Sequence, residues 1–266
     1  MDEKRKWALV LGASSGFGEA TAITLARRGR NVFGVHLDRK ATLPNVERIV
    51  SEVRAAGAEA VFYNVNAADH ERRAEVVLSM KERLDAEAGK GAIDVVLHSL
   101  AFGTLKPFTA ANAVDRISPA QLEMTLDVMA SSFVYWVQDL LGAGLLCEGG
   151  HVYAMTSAGG HRIWPSYGAV SAAKAALESH CRQLAVELVP KKIAVNAIRA
   201  GVTDTPALRK IPGNAQMIER CLAVHPAGRL TTPQEIADTI AVLSVPETCW
   251  MTGNVLGIDG GEDVVG

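Results

Sequence analysis

The chain has 266 residues, of which 48% are hydrophobic and 21% are charged, proportions typical of a soluble globular protein with a large core. A formal net charge of −2 and the lack of long Lys/Arg tracts exclude a basic footprint for nucleic acid. No run approaches the ~20 apolar residues of a membrane span, and residues 1–7 lack the apolar stretch of a signal peptide. The four cysteines show no C-x-x-C spacing, so they predict no metal site and fit a reducing cytoplasm.

Apolar runs and helical patterns alternate from the first residues to the last. In chain order they are strand 7–11, helix 16–29, strand 31–36, helix 45–57, strand 60–64, helix 69–88, strand 93–98, helix 119–146, strand 151–155, a helix bearing Tyr167 and Lys174 that ends near 188, strand 193–198, helix 233–244 and strand 255–259. Strands that alternate with such helices imply right-handed crossovers and one parallel sheet. We therefore predict an α/β fold with a Rossmann-type doubly wound parallel sheet, forming a single domain over 1–266. The segment 203–229, which contains three prolines, has the pattern of a mobile flap over the substrate.

A glycine-rich turn, Gly12-Ala-Ser-Ser-Gly16-Phe-Gly18, joins the first predicted strand to its helix. Glycines at this place permit a tight turn and let backbone N–H groups approach a pyrophosphate at the positive end of the helix. The spacing is G-x-x-x-G-x-G, so the common G-x-G-x-x-G fingerprint is not matched literally. A glycine-rich turn alone is a weak signal, but its position after the first strand favours a dinucleotide site.

Tyr167 and Lys174 are the strongest candidates for catalysis. Six residues separate them, and the position four before the lysine is Val170, which has no proton to donate. In a helix, residues seven apart return to one face about 10 Å from each other, against about 6 Å for residues four apart. The proton donor is therefore predicted to be Tyr167, seven residues before the lysine.

These motifs resemble those of the short-chain dehydrogenase/reductase family over essentially the whole chain. Further matching pieces are Asn64-Val65, Asn196-Ala-Ile198 and Asp259-Gly-Gly261. Within that family, Tyr-x6-Lys and His98-Ser-Leu-Ala-Phe102 resemble the enoyl-acyl-carrier-protein reductase branch. Carbonyl-reducing members carry Tyr-x3-Lys instead.

Two finer resemblances point in different directions. Lys174-Ala-Ala-Leu-Glu178 and Leu184-Ala-Val-Glu-Leu188 are similar to the NADPH-using subgroup of enoyl reductases. The glycine loop and Ser157, ten residues before the tyrosine, resemble ordinary short-chain reductases. Met129 stands where the family usually has a catalytic Asn, a loss that again favours the enoyl branch.

The resemblance implies roles for three catalytic residues. Tyr167 would hydrogen-bond the enolate that develops during reduction, and Lys174 would hold the ribose of the nicotinamide half and favour the tyrosinate. Ser157 would orient the tyrosine or the thioester carbonyl. Tyr167 and Ser157 would therefore also bind substrate. A plain alternative for the serine is that it only satisfies the backbone at the end of a strand.

The resemblance also implies a set of cofactor-binding positions along the carboxyl edge of the sheet. They are Gly12, Ser14, Ser15, Gly16, Phe17, Gly18, His36, Arg39, Asn64, Val65, Ser99, Leu100, Ala101, Lys174, Gly201, Thr203 and Thr205. Phe102 would face the acyl chain. Thr205 has a second reading as a helix cap for 206–210, and His98 is expected to be a hydrogen-bonded core histidine.

The choice between NADP(H) and NAD(H) depends on the residues after the second strand. His36 and Leu37 occupy the usual discriminating positions and carry neither a carboxylate nor a guanidinium. Asp38 favours NAD(H), whereas Arg39 favours the 2′-phosphate of NADP(H). NADP(H) is favoured through the subgroup resemblance, and NAD(H) stays open.

The leading hypothesis is reduction of a 2-enoyl thioester on acyl carrier protein or coenzyme A, as in fatty acid biosynthesis. A second hypothesis is a carbonyl or 3-ketoacyl reductase, and a third is a non-catalytic dinucleotide-binding protein. The family resemblance implies a homotetramer. We expect a cytoplasmic protein with neither nucleic acid nor membrane among its partners.

Overall fold

Seven parallel strands form one sheet at the centre of the computed structural model, which describes residues 6–87 and 91–265. The strands are β1 Trp7–Leu11, β2 Asn31–His36, β3 Ala60–Asn64, β4 Ile93–His98, β5 Leu146–Ser157, β6 Ala194–Ala200 and β7 Val255–Ile258. Their order across the sheet is β3-β2-β1-β4-β5-β6-β7. The direction of winding therefore reverses between β1 and β4, where a doubly wound sheet opens its ligand crevice.

Helices cover both faces of the sheet. They are α1 Gly16–Arg27, α2 Leu43–Ala55, α3 His70–Asp85, α4 Pro119–Leu126, α5 Ser132–Gly142, α6 Gly168–Leu188, α7 Asn214–Val224, α8 Pro233–Leu243 and the short α9 Glu262–Val265. One buried apolar cluster packs α3, α5 and α6 on the sheet, and a second packs α1, α2 and α8 on the opposite face. The predicted Rossmann-type fold is thus confirmed.

Some of the predicted residues lie outside the part of the chain that the structure describes. Residue 88, the last of the helix predicted at 69–88, lies outside the described residues, as do residues 1–5 and 266 of the predicted domain. Within the described ranges, none of the helices combines the length and the apolar character needed to cross a bilayer.

The helix predicted at 119–146 is wrong in its length and its continuity. A π-helical segment, Asp127–Ser131, separates α4 from α5, and Ser132 Oγ donates a 2.8 Å hydrogen bond to the Val128 carbonyl beside it. Helix α5 ends at Gly142, because Gly144 takes a φ of +69°, which a right-handed helix cannot continue. Strand β5 then begins at Leu146, five residues earlier than predicted.

The prediction that Tyr167 lies within a helix is also wrong. Helix α6 begins at Gly168, and the tyrosine is the residue before it, whose carbonyl accepts the first helical bond from Ser171 N. Ser166 has a φ of +62°, a left-handed conformation that a right-handed helix cannot contain. The direction of the phenol is therefore set by this turn and not by a helical face shared with Lys174.

The segment predicted as a flap, 203–229, contains structure of its own. It holds a single 3₁₀ turn, Leu208–Lys210, and helix α7. Trp164 Nε1 donates a 2.9 Å hydrogen bond to the Pro212 carbonyl, so the segment contacts the loop that precedes Tyr167.

Candidate active site

The glycine turn between β1 and α1 is packed so closely that side chains do not fit. A Cβ added at Gly12, whose φ is +89°, would lie 2.5 Å from the Ser99 carbonyl oxygen. A Cβ at Gly18 would lie 2.0 Å from the Gly12 carbonyl oxygen. Ser15 caps α1 without a side-chain hydrogen bond, which leaves the first helical N–H groups for an anion. The turn therefore fits the pyrophosphate of a dinucleotide.

Two further loops flank this turn. Ser99 N donates a 2.8 Å hydrogen bond to the Leu11 carbonyl, which fixes the end of β4 beside the end of β1. On the other side, a Cβ at Gly16 would lie 3.4 Å from Thr205 Cγ2, so the loop after β6 contacts the glycine turn. The structure thus brings together three of the predicted cofactor segments, 12–18, 99–101 and 201–205.

The threonines after β6 have internal partners. Thr205 Oγ1 accepts a 3.2 Å hydrogen bond from Leu208 N, the first residue of the 3₁₀ turn, a bond of the kind that its reading as a cap predicted, although the residue directly before the turn is Ala207. Thr203 Oγ1 donates to the Gly201 carbonyl at 2.9 Å. Both side chains are buried.

At the end of β2, two predicted residues, His36 and Asn64, contact Asp38. His36 is buried, and its Nδ1 lies 3.0 Å from Asp38 Oδ2. The amide of Asn64 accepts from Asp38 N at 2.9 Å and donates to its carbonyl at 3.0 Å. These side chains therefore position the aspartate. The guanidinium of Arg39 is exposed and, among the described residues, makes no hydrogen bond or ion pair.

Hydrogen bonds from neighbouring side chains stabilise the ionised form of Asp38. Burial alone would raise the pKa of this carboxyl, but hydrogen bonds from Thr42, Ser14 and His36 outweigh it and lower the pKa below its ordinary value. Ser14 belongs to the glycine turn. A negative charge therefore lies against the turn on the side of β2.

The remaining predicted cofactor and substrate residues lie around this crevice. Val65 N donates to the His36 carbonyl at 2.8 Å, and a Cβ at Gly12 would lie 3.5 Å from Leu100 Cδ2. Phe17 packs against the apolar cluster under α1. Ala101 is exposed, and so is Phe102, with 61% of its surface accessible.

Tyr167 and Ser157 lie against the same glycine. A Cβ at Gly159 would lie 2.5 Å from Tyr167 Cε1 and 3.2 Å from Ser157 Oγ. Among the described residues, the buried serine oxygen has no hydrogen-bond partner, which leaves its hydroxyl available to a ligand. Burial raises the pKa of Tyr167 above its ordinary value, and the nearby Ser157 hydroxyl offsets part of that rise.

Lys174 is anchored to the carboxyl end of strand β5. It is 6% exposed, and its Nζ donates a 2.6 Å hydrogen bond to the Met155 carbonyl, two residues before Ser157. Burial lowers the pKa of the lysine to about 8, although Glu178 and Cys181 act in the opposite direction. Ser157 pairs in register with Ala200, so the loop after β6 begins next to this group.

His98 is a core residue, as predicted. Its Nε2 lies 2.9 Å from Ser132 Oγ, and burial together with the charge of Lys174 lowers its pKa to about 3. Met129 lies in the π-helical segment, buried, and a Cβ at Gly103 would lie 3.0 Å from its sulfur.

Several residues at the site were missed by the sequence analysis. Glu178 accepts a hydrogen bond from Thr156, and its position one turn after Lys174 was an available signal. Phe108 packs on the residue after Tyr167, since a Cβ at Gly168 would lie 2.6 Å from its ring. No spacing in the sequence indicates that contact.

Comparison with known proteins supports the resemblance. The profile of a family described as enoyl-(acyl carrier protein) reductase matches residues 12–262. The 1-cyclohexenylcarbonyl-CoA reductase of Streptomyces collinus is 32% identical over 99% of this chain and 89% of its own. The enoyl-[acyl-carrier-protein] reductase [NADH] FabI of Nostoc sp. is 35% identical over 66% of this chain and 67% of its own. The 3-oxoacyl-[acyl-carrier-protein] reductase FabG of Thermotoga maritima is 27% identical over 96% of this chain and 97% of its own.

Proposed function

Because this chain belongs to the short-chain dehydrogenase/reductase family, we propose that it reduces the 2,3 double bond of an enoyl thioester with hydride from NAD(P)H. The observation that carries the proposal is the distance in sequence between Tyr167 and Lys174. The position four before the lysine holds Val170, which is buried and cannot donate a proton. Going back from the lysine, Tyr167 is the first tyrosine in the sequence.

The chemistry gives a reason for the wide spacing. Reducing a ketone adds hydride to the carbon that carries the protonated oxygen. Reducing a 2-enoyl thioester adds hydride to Cβ, while negative charge develops on the thioester oxygen at the other end of the conjugated system. The group that stabilises this oxygen must then stand further from the hydride donor. The position of Tyr167 in the turn before α6 provides this greater distance.

Each of the three proposed catalytic residues has its own role. Tyr167 hydrogen-bonds the thioester oxygen as charge develops and supplies the proton. Ser157, whose hydroxyl has no hydrogen-bond partner among the described residues, donates a second hydrogen bond to the same oxygen or orients the phenol. Lys174, held by the Met155 carbonyl, binds the ribose of the cofactor and favours ionisation of the tyrosine.

The chain's glycine turn and helix α1 fit a nicotinamide dinucleotide, which when bound would supply the hydride. We propose that NADPH is the preferred form, because Arg39 is exposed, has no ion-pair partner among the residues that the structure describes, and can bind a 2′-phosphate. Asp38 has the opposite effect, since its carboxylate lies against Ser14 and favours NADH. Residues Gly201, Thr203 and Thr205 are proposed to contact the nicotinamide half.

Two exposed phenylalanines, one of which packs on the residue after Tyr167, support an apolar substrate. Phe102 is 61% exposed and Phe108 is 55% exposed, and we propose that both contact the acyl chain, covered by the flap at 203–229. A relative named for a CoA thioester makes coenzyme A a carrier to test beside acyl carrier protein. We also propose that the protein forms a homotetramer in the cytoplasm and acts in fatty acid biosynthesis.

A second candidate function is reduction of a 3-ketoacyl thioester. Ser157 beside Tyr167 is the serine–tyrosine pair of the ordinary reductases that the glycine turn resembles. A relative named as a 3-oxoacyl reductase is 27% identical over 96% of this chain. Thus the tyrosine spacing favours the first candidate, and the serine is compatible with both.

Product analysis tests the proposal. The purified protein, NADPH or NADH, and a trans-2-enoyl-CoA are incubated, and the thioester product is examined by mass spectrometry. A saturated acyl-CoA, two hydrogens heavier than the substrate, supports the proposal. Unchanged enoyl-CoA, with 3-hydroxyacyl-CoA formed from a 3-ketoacyl-CoA in a parallel reaction, would favour the second candidate.

A further inference from the structure

Helix α6 bonds to two consecutive residues at the carboxyl end of β5. Lys174 Nζ donates to the Met155 carbonyl at 2.6 Å, and Glu178 Oε1 accepts from the Thr156 hydroxyl at 2.6 Å. Residues four apart on a helix share one face. The lysine and the glutamate therefore hold the strand immediately before Ser157.

The side chain of Glu178 is half-buried and lies against buried groups. Its partner Thr156 is 4% exposed. A Cβ added at Gly160 would lie 3.1 Å from Glu178 Oε1 and 3.5 Å from Lys174 Cβ, so the 3₁₀ turn Ala158–Gly160 covers both side chains. Such a carboxylate acts on its neighbours more strongly than one in open water.

Lys174 is a buried cation, and a buried cation needs a compensating charge. Among the described residues, the other titratable groups coupled to its charge are His98 on β4 and Cys181 on α6. Burial lowers the pKa of His98 to about 3 and raises that of Cys181 to about 12. Both are therefore neutral at neutral pH, as is Tyr167, whose pKa is raised by burial. Among the described residues that act on the lysine, Glu178 is the one that supplies negative charge.

We propose that Glu178 is a positioning residue of this reductase: its carboxylate, fixed by Thr156, compensates the charge of the Lys174 ammonium, which the Met155 carbonyl holds at the end of β5. The inference rests on the proposed function in that it takes Lys174 to bind the cofactor ribose. It adds a residue that contacts neither substrate nor cofactor and acts through the lysine.

The pH dependence of cofactor binding tests this role. NADPH and NADH are titrated into the full-length protein by fluorescence between pH 6 and pH 10. Glu178→Gln keeps an oxygen acceptor for Thr156 and removes the charge. Affinity should then be lost at a lower pH than in the wild type, by about one pH unit. Glu178→Asp should give a smaller shift in the same direction. Glu187→Gln, an exposed glutamate on the same helix, should leave the curve in place.

The outcomes are distinguishable. Coincident curves for the wild type and folded Glu178→Gln would overturn the inference and leave the glutamate a structural hydrogen-bond acceptor. If that variant does not fold, the binding curve of Glu178→Asp is compared with that of Glu187→Gln. A shift for Glu178→Asp alone would support the inference, and coincident curves would overturn it. Because binding is measured without substrate, a wild type that reduces no enoyl thioester would refute the proposed function and not the role of the glutamate.

Discussion

Lys174 Nζ donates a 2.6 Å hydrogen bond to the carbonyl oxygen of Met155, which ties helix α6 to strand β5 two residues before Ser157. The proposed catalytic groups are therefore assembled on one helix–strand contact. Tyr167 joins them from the turn that precedes the helix, held there by a left-handed Ser166. A residue in that conformation costs about 1–3 kcal/mol, which the surrounding structure must supply.

Removing the lysine should damage binding and turnover together. Lys174→Ala loses the ammonium that binds the ribose, so we expect the Kd for the dinucleotide to rise about tenfold and kcat to fall by more. Fluorescence titration and steady-state kinetics measure the two effects separately. A loss of rate with unchanged affinity would show that the lysine does not bind the ribose.

Removing the phenolic hydroxyl should affect turnover alone. Tyr167→Phe keeps the ring against Gly159 but cannot stabilise or protonate the thioester oxygen, so kcat should fall about 10²- to 10⁴-fold. The dinucleotide Kd should stay near that of the wild type. Wild-type turnover in this variant would remove the tyrosine from the mechanism.

The contact between Tyr167 and Gly159 predicts a steric effect. In Gly159→Ala, the new Cβ would lie 2.5 Å from Tyr167 Cε1, so the phenol must move and kcat should fall roughly tenfold or more. Gly142→Ala is a matched control, because a Cβ there meets nothing within 4 Å. Equal activities of the two variants would contradict the placement of the phenol.

Cofactor choice should respond to the two charged residues after β2. Asp38→Asn removes a negative charge beside Ser14 and should raise the ratio of kcat/KM for NADPH to that for NADH, by about tenfold. Arg39→Ala should lower the same ratio. If the second change has no effect, the arginine does not contact the 2′-phosphate.

The sequence sufficed for the fold because short apolar runs such as Trp7–Leu11 and Ile93–His98 are fully buried strands. It misplaced the end of the helix predicted at 119–146, since apolar residues continue through Leu145 and Leu146. Only the positive φ of Gly144 shows where the chain leaves the helix. Boundaries of this kind depend on single dihedral angles.

The candidate site was predictable where it depends on residue type and spacing, as for the glycine turn and Lys174. It was not predictable where it depends on tertiary packing. The residue type at position 166, a serine, does not indicate a left-handed backbone conformation, so Tyr167 was predicted within the helix. The bond from Thr156 to Glu178 joins residues 22 positions apart and exists only because α6 packs on β5.

The most direct test compares two four-carbon substrates on the wild-type protein. Crotonyl-CoA and acetoacetyl-CoA have the same carrier and chain length and differ in whether an alkene or a ketone is reduced. With the preferred dinucleotide, followed at 340 nm, we predict that kcat/KM for crotonyl-CoA exceeds that for acetoacetyl-CoA by about tenfold or more. A ratio in the opposite direction would show that the wide tyrosine–lysine spacing serves carbonyl reduction and would contradict the enoyl reductase assignment.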